Sequence, residues 1–244
     1  RKINHSEYKS IVITNQSVIA RNLCTLEDLK MIHNKMETVL GRDKAKIDAL
    51  YYCPHHPDKG YPEERKEYKI DCLCRKPKPG MLLNAAFDFN IDLKRSFMIG
   101  DNERDIEAGL NAGCTTVGVM TGYGIRKSSL RPHFFFANLL EAVNFIINEP
   151  YQTVFDKITA GNLKTPALIL IGGNARSGKS TLAAYLEWRL RLLDREVLNI
   201  ELDRESHQRL ERLRDKQIKT GDNQIIALSL QSLEEKMGRI IKRK

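Results

Sequence analysis

The sequence predicts an α/β protein made of two successive parallel-sheet domains, and three observations carry that prediction. Two apolar runs, Ile11-Val12-Ile13 and Phe97-Met98-Ile99, end in small polar residues, Thr14-Asn15-Gln16 and Gly100-Asp101-Asn102. Helical patterns alternate with further short apolar runs in the manner of βαβ units. A third run, Ile169-Leu170-Ile171, opens into a glycine-rich turn followed by an amphipathic helix pattern. Uninterrupted apolar runs suit strands buried on both faces, and open α/β sheets place ligands beyond the carboxyl ends of their strands. The residues at those ends are therefore the site candidates.

Taken in order, Arg1 to Tyr8 reads as the end of a helix leading into the Ile11 strand. Thr25 caps a helix whose apolar positions Leu26, Leu29, Ile32, Met36 and Val39/Leu40 recur at helical spacing, with Gly41 as its stop. Ile47 to Tyr52 is a strand, Met81 to Phe89 a helix started by Pro79-Gly80, and Glu103 to Asn111 a helix ended by Gly113. Thr115 to Met120 is the next strand, Gly122-Tyr123-Gly124 the loop after it, and Asn138 to Ile147 a last helix. Residues 1–148 form the first domain, 149–165 a linker opened by Glu149-Pro150, and 166–244 the second domain. Cys24 and Cys114 read as small core thiols, and His33 and His133 as surface or packing residues.

Composition narrows the class. The 244 residues are 41% hydrophobic, enough for globular cores, and no apolar stretch approaches eighteen residues. With no targeting segment visible, the expectation is a soluble cytoplasmic protein with no membrane partner. The formal net charge of +9 raises nucleic acid as a partner. However, basic residues are interspersed with acids, as in Arg204-Glu205-Ser206-His207-Gln208-Arg209, and lack interleaved aromatics, so small anionic substrates are expected instead of nucleic acid.

The densest chemistry lies in Cys53-Pro54-His55 and, about sixteen residues on, Cys72-Leu73-Cys74. Three sulfur donors and one imidazole are the ligand set of a closed tetrahedral zinc site, which would staple the loop between them. Chance pairing or disulfides are the competing readings. Disulfides suit a small secreted chain better than a charged one of this length with five cysteines. Directly after the last thiol, Arg75 and Lys76 place two cations on the loop that the metal would hold, which suits a phosphate.

These residues resemble the haloacid-dehalogenase superfamily of phosphatases, in its zinc-containing branch of D-glycero-D-manno-heptose 1,7-bisphosphate 7-phosphatases, with the histidinol-phosphate phosphatase domain as a near relative. The resemblance spans about residues 1–125. It makes Thr14-Asn15-Gln16-Ser17 the second superfamily motif, Lys76 the third, and Gly100-Asp101 with Asp105 the fourth. It also implies Cys53, His55, Cys72 and Cys74 as zinc ligands, Arg75 as the substrate-recognition arginine, and Asn15, Gln16, Ser17 and Asn102 as substrate contacts. The implied fold is a Rossmann-like domain with a zinc-bound loop. Thr14 and Lys76 would neutralise and position a phosphoryl group, Asp101 would coordinate Mg²⁺, and Asp105 would orient that shell. By residue type alone, Gly-Asp-x-x-x-Asp equally describes a strand end followed by a helix N-cap with an acid in its first turn.

Two departures accompany the resemblance. The superfamily's Asp-x-Asp nucleophile and acid/base pair occurs nowhere in the 244 residues. The expectation is a fragment with that motif upstream, nearly inert by itself because the covalent step needs the carboxylate. Asn102 also stands where the heptose phosphatases usually have a lysine.

In the second domain, Gly173-Asn174-Ala175-Arg176-Ser177-Gly178-Lys179-Ser180-Thr181 satisfies the P-loop pattern between a strand and a helix. Backbone N–H groups would cradle nucleotide phosphates, Lys179 would reach the β and γ phosphates of ATP, and Ser180 would hold Mg²⁺. Glu196 to Asp203 reads as a strand ending in an acid. Residues 164–205 resemble uridine-kinase-like and adenylylsulfate-kinase-like P-loop kinases, which implies Asp203 as the group facing the phosphate acceptor. A helix N-cap is its competing role. With about forty residues after Asp203, this domain is expected to be a partial P-loop fold.

Overall fold

The computed structural model describes residues 1–58, 64–122, 125, 130–160, 167–171, 178–201 and 224–229. They fall into two compact units, Arg1–Asn148 and Glu149–Lys244.

The first unit opens with a single 3-10 turn, Ile3–His5, in place of the helix end expected there. Strand β1 (Ile11–Asn15) pairs in parallel with β2 (Ala49–Cys53), placing Thr14 opposite Tyr52 and Asn15 opposite Cys53. Helix α1 (Leu26–Arg42) connects them. Its start is set locally: the Thr25 hydroxyl accepts the Asp28 amide, and the Asp28 side chain accepts the Thr25 amide in return. The helix runs through Gly41 before ending at Asp43, because its expected stop has an ordinary helical backbone. Its buried residue is Leu29, whereas Ile32 and Val39 of the predicted apolar stripe stay exposed.

Helix α2 (Gly80–Phe89) follows the metal-loop sequence and leads to β3 (Phe97–Gly100), α3 (Glu103–Asn111) and β4 (Thr115–Val119). Strand β5 (Phe134–Phe136), absent from the sequence-based expectation, pairs with β4, and α4 (Leu139–Asn148) closes the unit. All pairings are parallel, in the order β3-β4-β5 beside a separate two-stranded sheet β1-β2. Met98, Ile106, Ala108, Val117, Val119, Phe134, Val143 and Ile146 form the core around β4. Every β1 residue is only half-buried, against the expectation of a buried strand, because among the described residues β1 pairs with β2 alone.

In the second unit, helix α5 (Gln152–Ala160) occupies most of the stretch expected to be a linker. Strand β6 (Ala167–Ile171) precedes α6 (Lys179–Arg191), followed by β7 (Glu196–Glu201) and β8 (Gln224–Ser229). The three strands are parallel in the order β6-β8-β7, so β8, which the sequence reading lacked, is the central strand. Tyr185 on α6 is fully buried and sets its hydroxyl 3.1 Å from Glu149 Oε2 and 3.0 Å from Gln152 Oε1. Arg189 pairs with the same Glu149 carboxylate at 2.5 Å. Among the described residues no helix is long and apolar enough to cross a membrane.

Candidate functional site

Strand β2 ends on Cys53, and this buried residue begins the metal loop. Cys53 Sγ lies 3.7 Å from His55 Nδ1 and 3.4 Å from Cys72 Sγ, while Cys74 Sγ lies 3.5 Å from His55 Nδ1 and 3.2 Å from Cys72 Sγ. All four donor atoms stand within 4.8 Å of one another. A tetrahedral zinc with bonds of about 2.3 Å to sulfur needs donor separations of roughly 3.8 Å, so four short edges converging on one centre fit this metal. All five cysteines are free thiols, which removes the disulfide reading.

The cluster also shows how three close thiols divide protons. Burial raises Cys53, with the hydrogen bonds to Cys74 and Cys72 adding to it, and burial raises Cys74, with the hydrogen bond to Cys72 adding to it and that to Cys53 opposing it. At Cys72 burial opposes ionisation, but the hydrogen bonds from Cys74 and Cys53 outweigh it and lower the thiol. Burial lowers the His55 imidazole, keeping it neutral as a ligand must be. A bound divalent cation would deprotonate the remaining thiols.

The loop is tied to the strand ends by Asn15. Its side-chain Nδ2 donates to the Lys76 carbonyl at 3.1 Å, and its Oδ1 accepts the Lys76 amide at 3.0 Å. Asn15 was expected to touch substrate; both its amide groups instead hold the backbone of the lysine. Lys76 Nζ then donates to Ile13 O at 3.0 Å and to Asp105 Oδ1 at 2.6 Å. Both members of that ion pair are largely buried, with side chains 13% and 11% exposed. Removing either would leave the other buried and unpaired, at a cost of about 3–5 kcal/mol.

Gly100-Asp101-x-x-x-Asp105 is a strand end followed by a capped helix with an acid in its first turn. Asn102 caps α3 by accepting the Arg104 amide at 3.1 Å, and Asp105 returns the capping box by accepting the Asn102 amide at 3.2 Å. The other oxygen of Asp105 faces Lys76, so one carboxylate both starts the helix and sets the lysine. Asn102, expected to touch substrate, spends its side-chain oxygen on the cap. A Cβ at Gly100 would collide with Asp105, which is why a glycine precedes Asp101. Asp101 sits at the end of β3, half-buried, and Gly122 lies directly against it: a Cβ there would run into Asp101 Oδ2. Gly122 has φ of +94°, which only glycine adopts freely.

Around Thr14, Gln16 donates from Nε2 to the Thr14 hydroxyl at 3.2 Å, and its amide donates to Cys53 O at 2.7 Å. Arg75 donates from Nη1 to His55 O at 2.8 Å, so its guanidinium lies against the metal loop. The strand end of β1 thus carries two hydrogen-bonded groups, Thr14 with Gln16 and Asn15 with Lys76 and Asp105. Ser17 lies one residue beyond and accepts the Arg21 amide with its carbonyl. Sequence reasoning passed over Gly122, His56, Arg21 and Arg65, which act through contacts distant in sequence. Burial, then the charges of Arg75 and Arg21, lower the His56 imidazole.

In the second unit, Gly178, Lys179, Ser180 and Thr181 are described: Gly178 caps α6 with φ of +81°, and Lys179 is buried at the helix's first position. Gly173, Asn174, Ala175, Arg176, Ser177 and Asp203 lie outside the described residues.

A family model described as HAD-hydrolase-like matches residues 73–142. D-glycero-beta-D-manno-heptose-1,7-bisphosphate 7-phosphatase of Photorhabdus laumondii is 38% identical over 142 residues, covering 58% of this chain and 68% of that protein. The chain belongs to the heptose 1,7-bisphosphate phosphatase family of the haloacid-dehalogenase superfamily. The corresponding alpha-anomer phosphatase of Burkholderia mallei is 42% identical over 109 residues, 45% of this chain and 56% of that protein. Against these two family members, then, the chain spans between 56% and 68% of their length. The crystal structure of D,D-heptose 1,7-bisphosphate phosphatase from B. bronchiseptica, complexed with magnesium and phosphate, superposes with a TM-score of 0.51 at 32% identity. It covers 59% of this chain and 76% of that one.

Proposed function

We propose that the first unit is the phosphate-binding half of an Mg²⁺-dependent sugar-phosphate phosphatase, and that its substrate is a heptose 1,7-bisphosphate from which the 7-phosphate is removed. The observation that carries this reading is the chain of contacts from Asn15 through Lys76 to Asp105, which fixes the Lys76 ammonium to the Ile13 carbonyl of β1, with Thr14 at the same strand end and Asp101 at the end of β3. Thr14 and Lys76 present a hydroxyl and a fixed ammonium to phosphoryl oxygens, which carry the developing charge of the transition state. Asp101 offers the hard oxygen that Mg²⁺ prefers, and the ion supplies neutralisation of the phosphate when bound. The Cys53, His55, Cys72, Cys74 zinc site is structural and holds Arg75 toward the remainder of the substrate.

No Asp-x-Asp pair occurs in these 244 residues, so the chain by itself binds the ester and turns it over at background rate. Calorimetric titration with heptose 1,7-bisphosphate and with histidinol phosphate tests the substrate. The bisphosphate is expected to bind at least tenfold tighter, and Arg75→Ala to remove most of that preference. Tighter binding of histidinol phosphate would move the assignment to that alternative.

A second reading is favoured by β6, the left-handed Gly178 and buried Lys179 at the start of α6: the second unit binds ATP with Mg²⁺ at Ser180 and serves as a kinase-like module. If so, Lys179→Ala abolishes ATP binding, measured by calorimetry with Mg·ATP, and leaves sugar-phosphate binding unchanged. Retained ATP affinity in that variant would refute it. In a purely regulatory alternative, both units bind phosphate groups without catalysing transfer.

A further inference from the structure

The turn that follows Thr14-Asn15-Gln16-Ser17 is anchored from within, since Ile19 and Ala20 are fully buried. The next residue, Arg21, places Nη2 at 3.2 Å from His56 Nε2, and His56 is 4% exposed. A guanidinium has donors and no acceptor, so this nitrogen accepts and the ring carries its proton on Nδ1. Asp58 Oδ2 stands 3.6 Å from the same nitrogen, but its side chain is 75% exposed, too distant and too solvated to compete.

We propose that Arg21 is a positioning residue of the metal loop: through His56 it fixes the neighbouring ligand His55, and so ties metal occupancy to the conformation of the turn that leaves the substrate-facing segment. Two further contacts close the same seam. Arg65, on the return limb of the loop, donates its amide to Ala20 O at 3.0 Å and its Nε to Asn22 Oδ1 at 2.7 Å. His56 in turn donates its amide to Tyr68 O at 3.0 Å, and Arg75 holds the His55 carbonyl from the other side. The ligand His55 is thus held on one flank by Arg75 and, through His56, by Arg21 on the other. Groups that orient a metal ligand typically change metal affinity 10–100-fold when removed. By linkage, whatever the metal does to the turn, the turn does to the metal.

The test uses the zinc-loaded chain, with zinc dissociation measured by competition against a chromogenic chelator and amide hydrogen exchange followed at residues 17–22. Arg21→Ala is expected to weaken zinc binding by about 10–100-fold and to speed exchange in the turn while the far-UV spectrum stays native. His56→Gln is expected to do the same, and the double variant to lose no more than either single one, because both act through one contact. Should Arg21→Ala fail to fold, Arg21→Gln decides by the same two readouts. Unchanged zinc affinity in a folded Arg21 variant, or losses that add in the double variant, would overturn the proposal. This inference rests on the zinc reading, which fails separately if the unaltered chain holds no zinc.

Discussion

Cys72→Ser is expected to release the metal and to open the whole segment from Cys53 to Gly80 to protease while the rest of the first unit stays folded. The argument is one of scale. Zinc held by such a ligand set contributes about 10–16 kcal/mol of apparent binding free energy in zinc-finger peptides, more than most domains have in total stability. The segment's other ties are the Asn15 amide pair, the Lys76 contacts to Ile13 O and Asp105, the Asn111 side-chain amide to the Pro77 carbonyl, the Gly80 amide to the Leu73 carbonyl, and the Arg21 and Arg65 contacts. Each neutral hydrogen bond contributes about 0.5–1.5 kcal/mol net, and the Lys76 pair acts at the far end of the segment, so these ties do not replace the metal between them. A serine at position 72 removes the thiol that the two neighbouring thiols favour as the thiolate. Elemental analysis should find one zinc per unaltered chain and none in the variant, with new cleavage confined to the loop. A chain purified without chelator that contains no zinc would contradict this account.

How much of this was legible beforehand depends on the range of the interaction. Helix α3 occupies Glu103–Asn111, the bounds its sequence predicts, because its capping box and the left-handed Gly113 are local signals. The same holds for Thr25 at the start of α1. The clustering of Cys53, His55, Cys72 and Cys74 was legible because paired donors at short spacing leave few alternatives. What escaped depends on distant partners. Asn15 is separated from Lys76 by 61 residues, and nothing in either segment announces that an expected substrate contact is spent on a backbone. Gly122 reads as loop until Asp101 is placed against it. Strand β5 has only three residues, and α5 follows a Glu149-Pro150 pair that reads as a break, so neither carries enough periodicity to register. β8 is central in its sheet, yet its role comes from pairing with β6 and β7, which sequence alone does not display.

The second large effect concerns Asp101, and two substitutions reach it independently. Asp101→Ala removes the carboxylate proposed to hold Mg²⁺. Gly122→Ala leaves Asp101 in the sequence but forces a methyl group into its carboxylate, from a backbone at φ of +94° that alanine itself resists. Both variants should therefore lose the magnesium dependence of phosphate binding while keeping zinc. Gly41→Ala serves as the control, since a Cβ there meets nothing within 4 Å and lies in a helix, where alanine is favoured by about 0.5–1 kcal/mol. The decisive measurement is calorimetric titration of heptose 1,7-bisphosphate into the zinc-loaded chain with and without Mg²⁺. One site is expected, at least tenfold weaker without the ion, and reduced to that weaker level in Asp101→Ala and Gly122→Ala but not in Gly41→Ala. Equal affinity with and without Mg²⁺, or full magnesium dependence surviving in Asp101→Ala, would contradict the assignment of these strand ends as the phosphate site.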